Sequence, residues 1–454
     1  MEHRRLFPIQ VVIIGGGIAG LTAAIAFSRV GHRVVVLEQD ADLNVANTIC
    51  GGCRLAPNMA SVFKRWGLEP RLRQIGVLMD HAEFPGFQSG QAAAGGDWAD
   101  DMTVEAGAKH FGMRYEDFRR LLADTARASG VIIRPNSRAV STSVKPDSAT
   151  VKLVSGELVA GDLVVAADGL NEVEGKLPIS RPMMLGDREY STYKKLMLYN
   201  ALIPASAMRI DHGAVYSWYG DSYGAIGFPT RLDEFCLHIY IPTPHPSEDK
   251  ITVTGPEELV KVVTAGKAEP RLQKLAAAAH TVVGIPLKDR PSLEDWAHPD
   301  GPMIVIGEAA HPLTSGSLSA LNLAVGDGVF LGRLFKNLHR KQQIGAFLGA
   351  LVENRQKRIA DVQKSERLNP TIMSLPAGVE QARYLKTTVQ HMSDEGAVTF
   401  GEEAIRNTFA YDPEDEADSW WEEWGLLQER AAKITPITPL NLNSELHARI
   451  QSIS

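Results

Sequence analysis

Only three cysteines, Cys50, Cys53 and Cys236, occur in the 454 residues. So few thiols exclude a disulfide-stapled extracellular scaffold and point to a reducing, cytoplasmic setting. Cys50 and Cys53 form a CxxC, but no second CxxC accompanies it, so a four-ligand zinc site lacks its other half and no metal is expected. A redox pair stays open beside the favoured reading, small residues in a Gly51-Gly52 loop. Basic charge is not in excess either: the net charge is -7, which offers nucleic acid no general attraction. Apolar runs of membrane-spanning length are missing. The apolar stretch near the N-terminus carries glycines and no cleavage pattern, which excludes a signal peptide. No internal repeat is visible. What remains, at 44% hydrophobic residues, is a chain able to bury a sizeable core in two or three domains.

The most informative segment is VVIIGGGIAGLTAAIAFSRVGHRVVVLE, residues 11 to 38. An apolar β-type run, Val11 to Ile14, enters Gly15-x-Gly17-x-x-Gly20. Small residues Ala19, Ala23, Ala24 and Ala26 suit a helix packed closely on a sheet, and Val34 to Leu37 form a second strand ending at Glu38. Gly15 makes the tight turn, Gly17 lets backbone N–H groups approach a pyrophosphate at the helix N-terminus, and Gly20 permits helix-to-strand contact. Glu38 accepts from an adenosine ribose, which suits FAD or NAD and repels a 2′-phosphate, so NADP as the tightly held ligand is disfavoured. The position of this unit near the start of the chain makes FAD the first expectation.

Further along, Pro57 to Trp66 and Tyr115 to Ser129 have helical patterns, the latter with Phe118, Leu121, Leu122 and Ala126 on one face. Gln88 to Asp101, rich in Gly and Ala, suggests a mobile loop or insertion. Leu196 to Ile203, Ala214 to Tyr219, Gly224 to Phe228 and Phe235 to Ile241 are short β-type runs and predict an antiparallel sheet. Helical signals follow from Glu257 to Ala279 and again from about Ala320. Two more buried strands run into turns bearing acids, one reaching Asp168-Gly169 and one, Met303 to Ile306, reaching Gly307-Glu308-Ala309-Ala310-His311-Pro312. Acids at strand C-termini sit where open α/β sheets place ligands. The run Asp412 to Trp424 is acidic and holds three tryptophans. An exposed acidic face with the tryptophans packed on the body is expected ahead of a partner-binding segment.

Together these motifs resemble the FAD-dependent aromatic hydroxylases, the group A flavoprotein monooxygenases, and in particular their fungal salicylate-hydroxylase-like branch. The carriers are the GxGxxG with Glu38, the segment Gly52-x-x-Leu55-x-Pro57-Asn58, Arg114 ahead of a helix, Asp168-Gly169, and Gly307 to Pro312 with Asn322 and Asp327 downstream. The resemblance implies an α/β fold: a Rossmann-like FAD-binding domain in two parts (1–185 and 286–365), an inserted antiparallel β-sheet substrate domain (186–285) and a helical C-terminal region (366–454). It implies that Glu38 holds the adenosine ribose, that Gly52 and Arg114 touch the cofactor, and that Asp168 lies near the pyrophosphate. Glu308 would accept from ribityl hydroxyls, while backbone groups at Leu321 and Asn322 would face the flavin pyrimidine. Asn200, Tyr216, Trp218, Phe228 and Pro312 are the first candidates for the substrate pocket, and Tyr199, Tyr219, His238 and Tyr240 lie on the same predicted sheet. His311 is expected to shape the turn rather than move protons.

The implied reaction uses NADPH or NADH to reduce FAD, O₂ to form a flavin C4a-hydroperoxide, and transfer of one oxygen atom to an electron-rich aromatic or prenylated small molecule, in secondary metabolism. Three features depart from the family. Glu308 stands where relatives have Asp, and Leu318-Ser319-Ala320 replaces Gly-Gln-Gly, removing glycine freedom and predicting a different loop. Asn200 and Phe228 replace the Arg and Tyr of phenol-dearomatising relatives, so hydroxylation or epoxidation is expected. An FAD-dependent oxidase or reductase without oxygen transfer is the rival enzyme class, and a flavin-binding protein that has lost catalysis is the rival from outside enzymes.

Overall fold

The computed structural model describes residues 6–43, 51–97, 107–170, 178–186, 190–207, 213–243, 251–365, 375–383 and 409–427. Cys50 lies outside them. Its first sheet has five parallel strands in the order Met303–Val305, Leu163–Ala166, Gln10–Ile14, Arg33–Leu37, Ile132–Arg134. Val11, Val12, Ile13 and Ile14 are buried, as a central parallel strand covered on both faces requires. The helix Ile18–Arg29 returns along this sheet and is covered in turn by the helix Leu318–Phe335. The two helices meet almost backbone to backbone: a Cβ on Gly328 would stand 2.6 Å from the Ala23 nitrogen. That closeness is why the sequence there is a run of Gly and Ala.

Leu318–Phe335 is 18 residues long and apolar enough, by length and composition, to cross a membrane, contrary to the expectation that no such segment exists. Of that window 89% is buried inside the protein, because the centre of a domain this large is itself an apolar solvent for a helix.

The second sheet has eight strands in the order Thr252–Thr254, Thr281–Asp289, Thr192–Pro204, Glu234–Pro242, Gly224–Arg231, Ala214–Tyr219, His81–Pro85, Ala92–Asp97. All neighbours are antiparallel except Ala214–Tyr219 with His81–Pro85. The four runs expected as strands are strands. The supposed loop from Gln88 differs: Ala92–Asp97 pairs with His81–Pro85, since small residues fit an edge strand as readily as a loop, while 98–101 lies outside the described residues. Two strands of this sheet thus come from the first 100 residues. Helices Pro256–Ala265 and Pro270–Ala277 pack on one face against Met197, Tyr199, Ala201 and Ile203. The break between them has a local cause, Pro270, which cannot continue a helix, with the Glu269 carboxylate accepting from Arg271 N–H as the new cap.

The other face, with Leu198, Phe228, Cys236 and Ile285, looks toward the first sheet. A three-stranded sheet, Gly52–Leu55, His110–Arg114 and Gly76–Met79, is wedged against it. Glycines permit the wedge: a Cβ on Gly112 would lie 2.2 Å from the Pro229 carbonyl oxygen, and one on Gly52 would strike Phe228 and Cys236. In the acidic C-terminal run, Trp420 and Trp421 pack on Phe347 while Trp424 is exposed. Asp418 pairs with Arg333 and Lys336, and Glu414 with Arg65, so this run is docked on the body.

Candidate active site

A cavity of about 420 Å³ runs from the C-terminal edge of the parallel sheet to the underside of the antiparallel one. At one end it is bounded by Gly15, Gly17, Glu38, Asp40, Arg119 and Ser137. Gly15 has φ +99°, the left-handed region that glycine adopts without strain, and the helix Ile18–Arg29 starts at Gly17 with no side chain capping it. Its first-turn N–H groups and the positive end of the helix dipole therefore face the cavity, an arrangement suited to a phosphate. Gly20 lines nothing. It works from behind, seating the helix on the Gly15 turn.

Glu38 is buried at the end of its strand, where Oε2 accepts from Gly16 N–H at 2.7 Å and Oε1 from Asp40 N–H at 2.9 Å. Arg119 closes the group: Nη2 donates to Glu38 Oε2 at 3.1 Å and to Asp40 Oδ2 at 3.4 Å, and Nε to the Gly16 carbonyl at 2.8 Å. Sequence reasoning missed Arg119 and chose Arg114. Arg114 does not line the cavity; its guanidinium binds both oxygens of Glu234 and, at 2.9 Å, Glu116, tying the wedge sheet to the large one. The reason is geometric. Arg114 ends a strand and turns toward the large sheet, whereas Tyr115 and Arg119, four residues apart on the helix Tyr115–Ala128, share the face toward the cavity. Burial pushes the Tyr115 phenol up to about 12, so it stays a neutral donor. That i, i+4 spacing was the signal available.

In the middle of the cavity stand Gly52, Cys53, Asp168, Glu308, Leu321 and Ala324. The Asp168 carboxylate accepts from Ile179 N–H at 2.7 Å, Ser180 N–H at 3.0 Å and the Ser180 hydroxyl, so it holds the segment that walls the cavity. Burial pushes the Asp168 and Glu308 carboxyls upward, the latter partly offset by His311. Asn322 is beside the cavity but faces the other way: Oδ1 accepts from Ala56 N–H at 2.8 Å and Nδ2 donates to the Leu318 carbonyl at 2.6 Å. Its side chain is a brace between the wedge sheet and the long helix, a role separate from the one expected of the backbone groups at Leu321 and Asn322. Pro312 does not line the cavity either.

His311 is a brace too, with Nε2 2.6 Å from Asp327 Oδ2 and its ring against Trp296. Leu318-Ser319-Ala320, expected to alter a loop, is the first turn of the helix Leu318–Phe335, with the Ser317 hydroxyl accepting from Ser319 N–H. The freedom lost there is held by Gly316, at φ +83°.

The far end lies under the antiparallel sheet. Leu198, Asn200, Phe228, His238 and Ile285 line it with Arg54 and Ser315 to Ser317. Alternation along the strands decides which residues arrive. Tyr216 and Trp218 point to the opposite face, stacked on each other, with Trp218 Nε1 donating to Glu269 Oε1 at 3.1 Å; Tyr199 is buried in the same helix-covered core. Tyr216 and Trp218 are therefore removed from the pocket. Tyr219 and Tyr240 share the cavity-side core without lining the cavity. Cys53 and Cys236 are free thiols raised by burial, and among the described residues no cluster of metal-ligating groups occurs.

A dinucleotide cradle continuous with a chamber under the antiparallel sheet is thus on hand, and residues 8–366 match the family model described as FAD binding domain. The chain belongs to this FAD-binding family. It is 27% identical over 396 residues to FAD-dependent monooxygenase OpS4 of Beauveria bassiana, covering 86% of this chain and 91% of that one. It is 25% identical over 362 residues to 6-hydroxynicotinate 3-monooxygenase of Bordetella bronchiseptica, covering 78% and 90%. Among solved structures, CtdE in complex with FAD and a substrate superposes with a TM-score of 0.73 at 20% identity, covering 93% of this chain and all of that one. A salicylate hydroxylase substrate complex superposes at 0.70 with 20% identity, covering 90% and 97%.

The residues present fit FAD: an uncapped helix start beside Gly15 and Gly17, a strand-end carboxylate at Glu38, and a second, Glu308, further along the same cavity. Glu308→Ala is expected to weaken FAD binding by about 1.5–3 kcal/mol, the value of a hydrogen bond to a charged group, while Glu308→Asp retains it. Fluorescence titration of apoprotein with FAD measures both. An alanine variant that binds as tightly as wild type removes Glu308 from the cofactor site.

Proposed function

We propose that this FAD-binding protein is a monooxygenase, using NADPH or NADH and O₂ to insert one oxygen atom into an electron-rich aromatic or prenylated small molecule of secondary metabolism. The observation that supports this best is the continuity of one cavity from the Glu38–Gly17 cradle, past Glu308, to a chamber where Leu198, Phe228 and Ile285 stand with Asn200, His238 and Arg54. Bound FAD supplies the redox chemistry, taking electrons from the nicotinamide and activating O₂. The chain's own residues hold and shield. Gly17 and the helix start receive the pyrophosphate, Glu38 with Arg119 the ribose, and Glu308 the ribityl hydroxyls. The apolar wall keeps water from the reacting centre, and the chamber orients the substrate ring. No proton-transfer group is needed at His311, whose ring is spent on Asp327.

Asn200 and Phe228 stand where phenol-dearomatising relatives carry Arg and Tyr, which favours hydroxylation or epoxidation over dearomatisation; the cation at this end of the cavity is Arg54, on a different element. The test is NAD(P)H oxidation by the yellow holoenzyme against a panel of phenols, indoles and prenylated phenolic acids, followed by reaction of the stimulating compound under ¹⁸O₂. Expected are flavin reduction at least tenfold faster with substrate than without it and a product heavier by one labelled oxygen, the first because filling the chamber biases the holoenzyme toward its reducible state. An unlabelled product of an active enzyme establishes the oxidase or reductase class instead.

A further inference from the structure

Tyr115 opens the helix Tyr115–Ala128 and its backbone is held on both sides. Its N–H donates to the Gly51 carbonyl at 2.9 Å, and its predecessor Arg114 is bound to Glu234 and Glu116. The half-buried ring packs against the core that contains the parallel sheet, a task phenylalanine would perform as well. The hydroxyl has no such explanation. Among the described residues no group hydrogen-bonds it, and its oxygen is open to the cavity that Tyr115 lines.

Its place in the cavity is set by the cradle. Chain neighbours aside, the Tyr115 hydroxyl is the one atom of the described residues that comes within 4.0 Å of where a Cβ on Gly17 would stand. Gly17 is the uncapped start of the helix Ile18–Arg29, so the hydroxyl looks across the floor toward which the first-turn N–H groups point. Burial raises the phenol to about 12; Arg119 opposes that, while Glu308, Cys53 and Glu38 add to it. Glu38 stands at the ribose end of the cavity and Glu308 further along, where the ribityl chain is assigned, and Tyr115 is within reach of both. In FAD the group between ribose and ribityl chain is the diphosphate. That group only accepts hydrogen bonds, and a phenol that stays protonated has one O–H to give. The cation expected at the cofactor, Arg114, is spent on Glu234.

We propose that Tyr115 is a diphosphate-binding residue, its O–H donating to a phosphate oxygen of FAD above the helix start. The anion is then gripped by neutral donors from two elements, backbone N–H groups of the helix Ile18–Arg29 on one side and a phenol on the other, the phenol taking the contact expected of Arg114. This contact rests on the functional reading above only in seating FAD along the cavity, and not on oxygen transfer.

Two measurements without turnover test this on the full chain. Fluorescence titration of the apoprotein gives the dissociation constant of FAD, and ³¹P NMR of the FAD-saturated protein gives the two diphosphate resonances. Tyr115→Phe, which removes only the hydroxyl, should raise the dissociation constant tenfold or more and move at least one ³¹P resonance by more than its linewidth. A second pair of variants covers a phenylalanine protein that does not fold. Tyr115→Gln and Tyr115→Met match in size and only glutamine keeps a donor, so the glutamine protein should bind FAD more tightly than the methionine protein. A dissociation constant raised by less than tenfold in Tyr115→Phe, weaker binding with both ³¹P resonances at their wild-type positions, or equal affinities where glutamine and methionine must decide, overturns the proposal. A wild type that takes up no FAD overturns the cofactor placement and this contact with it. Because no turnover is involved, an unlabelled product in the ¹⁸O₂ experiment would remove oxygen transfer and leave Tyr115 at the diphosphate.

Discussion

Gly20→Val should give a protein that does not retain FAD and melts far below wild type, whereas Gly17→Ala should fold normally and still bind FAD poorly. The two glycines stand three residues apart in one motif but answer to different forces. A Cβ on Gly20 would lie 2.0 Å from the Gly15 carbonyl oxygen, a backbone atom that cannot move without moving the turn, and 3.3 Å from an Ile13 methyl. Valine forces the helix off the sheet, an overpacking penalty beyond the usual ~1–3 kcal/mol because the obstacle is main chain. Gly17 has φ -79°, and a Cβ added there would meet nothing closer than the Tyr115 hydroxyl at 4.0 Å, so alanine fits the empty fold. Its methyl would instead occupy the floor on which the pyrophosphate rests. Thermal melting and bound-flavin absorbance separate the two effects. A Gly17→Ala protein with wild-type FAD affinity would show that the helix start is not the phosphate site.

Asp327→Asn should be among the most destabilising single changes that leave the cavity wall untouched. Asp327 is fully buried and holds three groups: Arg355 Nε at 2.7 Å, His311 Nε2 at 2.6 Å and Gly307 N–H at 2.9 Å. Burial by itself raises its carboxyl, but the charges of His311 and Arg355 and the hydrogen bonds outweigh this and hold it below the usual carboxylate range. Removing the charge leaves Arg355, 1% exposed, without its counter-ion, for which about 3–5 kcal/mol is the expected cost, a large share of the ~5–15 kcal/mol a protein has in all.

The same shift sets a pH dependence. A depressed carboxyl contributes stability that is present above its unfolded pKa, near 3.9, and is lost as pH falls through the lower folded value. Wild type should therefore keep this contribution down to about pH 4 and lose it below, and Asp327→Asn should be destabilised at pH 7 with a flatter acid limb. Melting curves from pH 3 to 8 measure both. A variant as stable as wild type at pH 7 would mean that Tyr411 and the Leu323 carbonyl, which also bind Arg355, suffice to hold it.

Periodicity and local chemistry made the framework legible. The βαβ unit, the strand-end acids Glu38 and Glu308, and the alternation of Leu196 to Ile203 rest on neighbours a few residues apart, and these appear where the pattern put them. Alternation by itself leaves open which face of a strand meets the cavity. Tyr216 and Trp218 are candidates by sequence because aromatics on a sheet suit a ring-shaped ligand, but helices Pro256–Ala265 and Pro270–Ala277 cover their face, and His238 and Asn200 take the other.

Arg114 and Arg119 show the same division. Five residues apart and alike in charge, they differ in that Glu234, 120 residues downstream of Arg114, captures one and leaves the other to Glu38. Local sequence thus determined the βαβ unit, the four central strands of the large sheet and the family, but not the edge strand Ala92–Asp97. Tertiary packing decided which charged and aromatic side chains reach the cavity, because each goes to whichever partner the rest of the fold brings within a few ångströms, and those partners come from distant parts of the chain.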